Sequence, residues 1–303
     1  MGIRRSRERF PAGAMSDVGT VLVTGATGTV GSTLVSLLAA RGAAVRALSR
    51  RGLPPEAMAT GIDAAKVDLR DAQSVADALS GVQRLFLATP LEEDMAAVAD
   101  RMVEQARRAG VVQVVRLSAL GAGGGMATGL AAIHAQTEES LRRSGIPWVF
   151  LRPNAFMQNT IGQFAGSIRR YGSFRAPQGS GRVSVIDARD IAAVAACLLT
   201  QSTPVRGCFD LTGPQALSND DMAAVLGRVL GRDIRYFDTE PGETRATLLA
   251  EGFSVWLTDI VMELYDLSAH GGAARVSPDV AQILGRAPTS FEAFVADHAD
   301  AFR

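Results

Sequence analysis

The chain has 303 residues, 47% of them hydrophobic and 20% charged, with 31 basic residues set against 31 acidic ones. That length and apolar share suffice for one large α/β domain with a smaller appended lobe. The balanced charge supplies no bulk positive field to draw the protein onto nucleic acid or an anionic membrane, and no apolar stretch approaches the ~20 residues that a bilayer span needs.

The first nineteen residues carry Arg4, Arg5, Arg7 and Arg9, then Pro11, Gly13 and Gly19. No apolar segment follows the arginines, so this is read as a disordered tail rather than a secretory signal, with Met15 a candidate translation start. Residues 21–31, Val-Leu-Val-Thr-Gly-Ala-Thr-Gly-Thr-Val-Gly, join a short β-branched run to Gly25, Gly28 and Gly31. The run reads as a buried parallel strand, and Val30, Leu34, Leu37 and Leu38 behind it have amphipathic helix spacing. Glycines at such a strand-to-helix turn let the backbone approach a dinucleotide pyrophosphate, with helix N–H groups facing the negative charge. Gly25, Thr27, Gly28, Thr29, Val30 and Gly31 are therefore the expected phosphate cradle.

Strand and helix then alternate. A second strand over 44–49 precedes a loop with Pro54 and Pro55, and a third strand ends at Val67-Asp68-Leu69. Asp71 is expected to cap a helix that Gly81 closes, with the fourth strand at 85–89. A helix over 95–109, a fifth strand over 111–118, a glycine-rich loop over 121–129, a helix over 130–144 and a sixth strand over 148–151 follow. This rhythm requires right-handed crossovers and a parallel sheet, so the expected fold is a Rossmann-type doubly wound α/β sheet. Beyond Arg152-Pro153 the rhythm loosens into helices near 159–171, 190–200 and 218–230, short strands at 183–186 and 208–212, and a capping-box start at Thr289-Ser290-Phe291-Glu292. The domain reading is a tail over 1–19, a dinucleotide-binding core over 20–153, and a mostly helical substrate lobe over 154–303 whose strands return to the core sheet.

From Thr20 onward the chain resembles the NmrA-like group of atypical short-chain dehydrogenase/reductases. The resemblance rests on Thr24-Gly25-Ala26-Thr27-Gly28-x-x-Gly31, Val45 to Arg50, Asp68-Leu69, Arg116-Leu117-Ser118, Glu138, Ser144 to Trp148, Leu151 to Asn159, Val185-Ile186-Asp187 with Asp190-Ile191-Ala192, Leu211 to Pro214, and Gly285-Arg286-x-Pro288. It implies NADP or NAD binding. In different members it implies reduction of quinones or other small molecules, reductive tailoring in secondary metabolism, or redox sensing without turnover. The wider superfamily's Tyr-x-x-x-Lys pair has no counterpart, since no tyrosine precedes Tyr171 and Lys66 is the single lysine.

Isoflavone-reductase-like relatives place a lysine at the start of the helix after strand five, and here the matching residue is His134, four residues before Glu138. An imidazole with the ordinary pKa of about 6.5 trades a proton near neutral pH, and a carboxylate one turn away would hold the imidazolium; the alternative is a solvated His-Glu pair of little consequence. Ser118 ends strand five, where the superfamily keeps a substrate-orienting serine and where ligands of open sheets gather. His134 and Ser118 are thus the catalytic candidates.

For the cofactor, Ala88, Thr89 and Pro90 are expected along the ribose, with Pro153, Asn154 and Phe156 facing the nicotinamide and substrate. Asp68 and Leu69 complete the set. Arg50, after strand two, suits a 2′-phosphate where NAD sites usually hold an acid, so NADP(H) is expected over NAD(H). Asp190 reads as a helix N-cap beside Asp187. Cys197 and Cys208 read as reduced core thiols of a cytoplasmic protein, and His270 and His298 lack a partner at metal-ligand spacing, so no metal is expected.

Two functions follow from this reading. The first is an NADPH-dependent reductase of a quinone, enone or aromatic ketone, acting as a monomer or homodimer on a small molecule. The alternative is an NADP(H)-sensing regulator that binds a protein partner.

Overall fold

The computed structural model describes residues 18–53, 62–124 and 129–303. Residues 1–17 of the tail read over 1–19, the Pro54-Pro55 loop and the centre of the 121–129 loop lie outside those residues.

Buried apolar runs become sheet strands where both faces are covered. Here β1 (Thr20–Val23), β2 (Val45–Ser49), β3 (Asp63–Lys66), β4 (Val82–Leu87), β5 (Gln113–Leu117), β6 (Trp148–Pro153) and β8 (Gly207–Leu211) form a seven-stranded sheet ordered β3-β2-β1-β4-β5-β6-β8. The pairings from β3 across to β6 are parallel. The helices α1 (Gly31–Ala40), α2 (Ala72–Leu79), α3 (Met95–Arg108) and α4 (Gly129–Arg143) connect these strands. The sheet core is apolar from Leu22 and Leu48 through Leu85 and Val114 to Phe150. The order reverses between β1 and β4, the switch point at which ligands of doubly wound sheets bind beyond the strand carboxyl ends.

Several predicted boundaries move for local reasons. The third strand stops at Lys66 rather than Leu69, because Asp68 turns back to accept the Arg70 amide at 3.0 Å. The fourth strand ends at Leu87, with Ala88 diverted onto the Thr24 hydroxyl at 2.8 Å. Asp71 does cap α2, accepting from the Gln73 amide at 3.0 Å.

Contacts within the chain define two compact units. One runs to Arg152 and takes back Arg189–Asp210 and Asp279–Arg286; the other holds Pro153–Ala188, Leu211–Pro278 and Ala287–Arg303. The returning stretches carry most of α6 (Ala188–Leu199), nearly all of β8, and α10 (Asp279–Leu284).

The second unit contains α5 (Gln158–Tyr171), α7 (Asn219–Leu230), α8 (Pro241–Ala250), α9 (Val255–Ala269), α11 (Phe291–Asp297) and α12 (Ala299–Phe302). It has its own core, built around Ile168, Phe174, Leu226, Phe294 and Phe302. A two-stranded parallel sheet, β7 (Ser173–Ala176) with β9 (Arg235–Asp238), has no counterpart in the sequence reading. Residues 183–186, read as a strand, make only isolated bridges, Val183 with Leu217 and Ile186 with Phe156. The cap of α11 is Ser290, which accepts from Ala293, so the register read from Thr289 and Glu292 is off by one. A reciprocal capping box stands instead at Ser218 and Asp221.

Candidate active site

The glycine turn after β1 is closed by its own backbone. Gly25 adopts φ +62°, a left-handed conformation open to glycine, and its carbonyl accepts the Gly28 amide at 2.8 Å. A Cβ at Gly31 would stand 2.1 Å from the Gly25 oxygen, and one at Gly28 would stand 3.1 Å from it. Ala26 is tied to Leu48 of β2 and Thr24 to Phe86 of β4, so the turn is anchored to both neighbouring strands. Thr27, Gly28 and Thr29 are exposed, whereas Val30 is buried at the start of α1. A backbone bare of side chains at the head of a helix is what a pyrophosphate requires, and these residues fit a dinucleotide.

Around that mouth the strand exits supply further groups. At the end of β2 Ser49 is buried and its Oγ lies 3.4 Å from Thr27 Oγ1, while Arg50 is exposed, its Nη1 3.3 Å from Glu92 Oε1. Asp68 is exposed, but the Leu69 side chain is packed into the sheet core, which leaves only its main chain for a ligand. Beyond β4, Ala88 holds both its backbone groups against Thr24 Oγ1. Thr89 Oγ1 accepts from Arg116 Nη2 at 3.0 Å, so its own proton stays free to donate; Thr89 and Pro90 are half-buried.

Arg116 is the largest side chain buried below 2% exposure, and sequence reasoning missed it as a site residue. It donates to the Leu87 carbonyl at 3.1 Å, which ties β5 to the end of β4, while its Nε is buried without a partner among the described residues. Burial pushes its guanidinium down to about 10 against the pull of Glu138.

Next to it lies a buried ionic network. Ser118 donates to Glu138 Oε1 at 2.6 Å, and Arg152 grips both Glu138 oxygens, at 2.8 Å through Nε and 2.5 Å through Nη2. Arg142 adds a bond to Oε2 at 2.9 Å. The neighbouring Gly123 leaves room for this clamp, since a Cβ there would fall 2.3 Å from Arg152 Nη1. Glu138 is fully buried and Ser118 nearly so. A hydroxyl that donates to a carboxylate offers only lone pairs elsewhere, so Ser118 faces any ligand as an acceptor.

The structure corrects the reading of His134. Its expected pair with Glu138 does not form, because three other side chains take up that carboxylate. Instead His134 is 9% exposed, with Nδ1 buried and unpartnered among the described residues. Burial first, and the Arg116 charge second, push its pKa down to about 3. The ring is a neutral imidazole at any physiological pH, not the imidazolium acid inferred from the ordinary value.

Of the remaining candidates, Pro153 is buried. The Asn154 amide is spent inside its own unit, with Nδ2 donating to Ser184 Oγ and Ala273 O at 2.8 Å each and Oδ1 accepting from Ala155. Both of its side-chain donors are committed, so toward a ligand Asn154 has only acceptor capacity left. Phe156 is half-buried and stands outside the apolar cluster of its unit. Asp190 is not an N-cap; it lies inside the first turn of α6 and binds Arg286 at 2.7 Å, while Asp187 accepts from Gln158 at 2.8 Å. Cys197 and Cys208 are free, and burial raises both thiols. Among the described residues no three His, Cys, Asp or Glu side chains gather as a metal site, and no helix is long and apolar enough to cross a membrane.

Comparison with known proteins agrees with this geometry. A family described as NAD(P)H-binding matches residues 25–202. An NAD(P)H azoreductase of Xenophilus azovorans is 35% identical over 93% of this chain and 99% of its own length. A (4-alkanoyl-5-oxo-2,5-dihydrofuran-3-yl)methyl phosphate reductase of Streptomyces griseus is 34% identical over the same shares. Among solved structures, the NADPH-dependent quinone oxidoreductase QOR2 of Escherichia coli, complexed with NADPH, superposes with a TM-score of 0.82 at 25% identity, over 92% of this chain and 99% of that one.

Proposed function

The chain belongs to the NAD(P)H-binding family and is an NAD(P)H-dependent oxidoreductase, and from that premise we propose that it reduces quinones, enones or azo compounds rather than simple aromatic ketones, with NADPH preferred over NADH. The azo class is taken from the azoreductase relative. When bound, NADPH supplies a hydride, which brings the acceptor two electrons and leaves it one proton short of its reduced form.

The observation that carries the reading is the Ser118–Glu138 bond of 2.6 Å beside a neutral His134. Neither group can act as a strong acid on a bound carbonyl. Acceptors whose reduced anions are already stabilised, such as a quinone giving a hydroquinone anion or an enone giving an enolate, need none and take their proton from water. The cradle of Gly25, Gly28 and Gly31 takes the pyrophosphate, the Thr89 hydroxyl donates to the ribose, and Asp68 with the Leu69 main chain borders the adenine. Arg50 meets the 2′-phosphate, an anion that a guanidinium binds by charge-assisted bonds. The acceptor then lies near Ser118 and His134 of the first unit.

The test is steady-state NADPH oxidation against a panel of quinones, enones and azo dyes. Turnover with at least one class is expected. The same lack of an acid favours the sensing alternative, and that reading would replace this one if every acceptor failed while a protein partner bound one cofactor redox state selectively.

A further inference from the structure

Three strand exits converge on one carboxylate at the mouth of the first unit. Glu92, in the segment after β4, has its backbone fixed by Glu92 N to Pro90 O at 3.1 Å and Met95 N to Glu92 O at 2.9 Å. Its Oε1 lies 3.3 Å from Arg50 Nη1, from the exit of β2, and its Oε2 accepts from Arg70 Nη2, from the exit of β3. Arg70 is held in addition by Asp94, at 2.7 Å through Nε and 2.9 Å through Nη2. Two guanidinium groups and two carboxylates therefore balance, and the Arg50 charge already has an acidic partner.

We propose that Glu92 is a specificity-determining residue for the cofactor: it neutralises Arg50 in the free protein and competes with the ribose 2′-phosphate for that guanidinium. The proposal rests on the reading of Arg50 as the 2′-phosphate ligand. A phosphate dianion arriving at the end of β2 must draw Arg50 away from Glu92. NADH, with a plain 2′-hydroxyl, does not, so the cost falls on NADPH alone and narrows the preference that Arg50 provides. Arg70 keeps its Asp94 partner when Glu92 is neutralised, so Glu92→Gln leaves no arginine of the cluster other than Arg50 without an anion. All four side chains are substantially exposed, so the competition is modest and screened by salt.

The experiment is titration calorimetry of NADPH and NADH with the full chain and with Glu92→Gln, Arg50→Ala and the double variant. In Glu92→Gln, NADPH should bind ~2- to 5-fold more tightly, in the range of an exposed charge pair, with NADH affinity unchanged. The gain should vanish in the Arg50→Ala background, because the two residues act through one contact. An equal gain for NADH, a gain that persists without Arg50, or no gain would each overturn the role of Glu92. Failure of the underlying assignment looks different: the unaltered protein would bind both cofactors alike, or Arg50→Ala would keep the preference intact.

Discussion

His134 gives the sharpest quantitative test, because its state depends on burial that can be titrated. In the unfolded chain the imidazole has a pKa of about 6.5; in the folded protein burial and the Arg116 charge bring it to about 3. The folded form therefore resists protonation, and stability contributed by the neutral ring is complete above pH 6.5 and is lost as pH falls towards 3. At 1.36 kcal/mol per pH unit the loss between pH 8 and pH 5 is about 2 kcal/mol, and it approaches roughly 5 kcal/mol as an upper bound near pH 3. Replacing the ring by a group that does not titrate removes this slope. Urea unfolding of the unaltered protein and of His134→Gln at both pH values isolates the term, since the other titrating groups are shared. The unaltered chain should lose about 2 kcal/mol more than the variant on going to pH 5. Ring-proton NMR should show no His134 midpoint between pH 5 and pH 8. Equal losses in the two proteins, or a midpoint near 6.5, would refute the buried, neutral assignment and restore the imidazolium acid.

Glu138→Gln should destabilise by about 3 to 5 kcal/mol in denaturant unfolding, because Arg152 would be left partly buried beside a neutral amide; a loss below about 1 kcal/mol would show that the network is wetter than its geometry indicates. Gly31→Ala should cost several kcal/mol or prevent folding, as its Cβ would meet the Gly25 carbonyl at 2.1 Å. Gly28→Val, at 3.1 Å, should instead fold and lose NADPH binding in calorimetry; unchanged affinity would mean that the cradle is misassigned. Arg50→Ala should weaken NADPH by roughly tenfold to a hundredfold while sparing NADH, the yield of a charge-assisted bond to phosphate; an equal effect on both cofactors would remove Arg50 from the 2′-phosphate.

The parts of the site that were legible in the sequence are those written in neighbouring residues. The spacing of Gly25, Gly28 and Gly31 behind an apolar strand encodes a tight turn bare of side chains, and the backbone turns there with Gly25 left-handed and no room for a Cβ at Gly31. Asp71 before an amphipathic segment is a cap by local chemistry alone. The pairing of His134 with Glu138 failed because helical spacing says that two residues are adjacent, not which of several partners a carboxylate takes. Ser118 and Arg152 reach Glu138 from other elements, and Arg152 binds it bidentately. The commitment of the Asn154 donors was likewise not legible, since Ser184 and Ala273, which accept them, lie far along the chain. The β7–β9 pair escaped notice because each strand has only four residues and its partner is remote.

By itself, then, the sequence determined the alternation of strands and helices, the glycine turn and the presence of an arginine after β2, since periodicity, glycine freedom and charge type are properties of short stretches. Only the tertiary structure decided that His134 is neutral, that Ser118 donates inward and that Arg50 already faces Glu92. Desolvation and hydrogen-bond direction are set by atoms brought together from distant segments. Proton affinity and donor capacity at this site are therefore consequences of packing, and no motif records them.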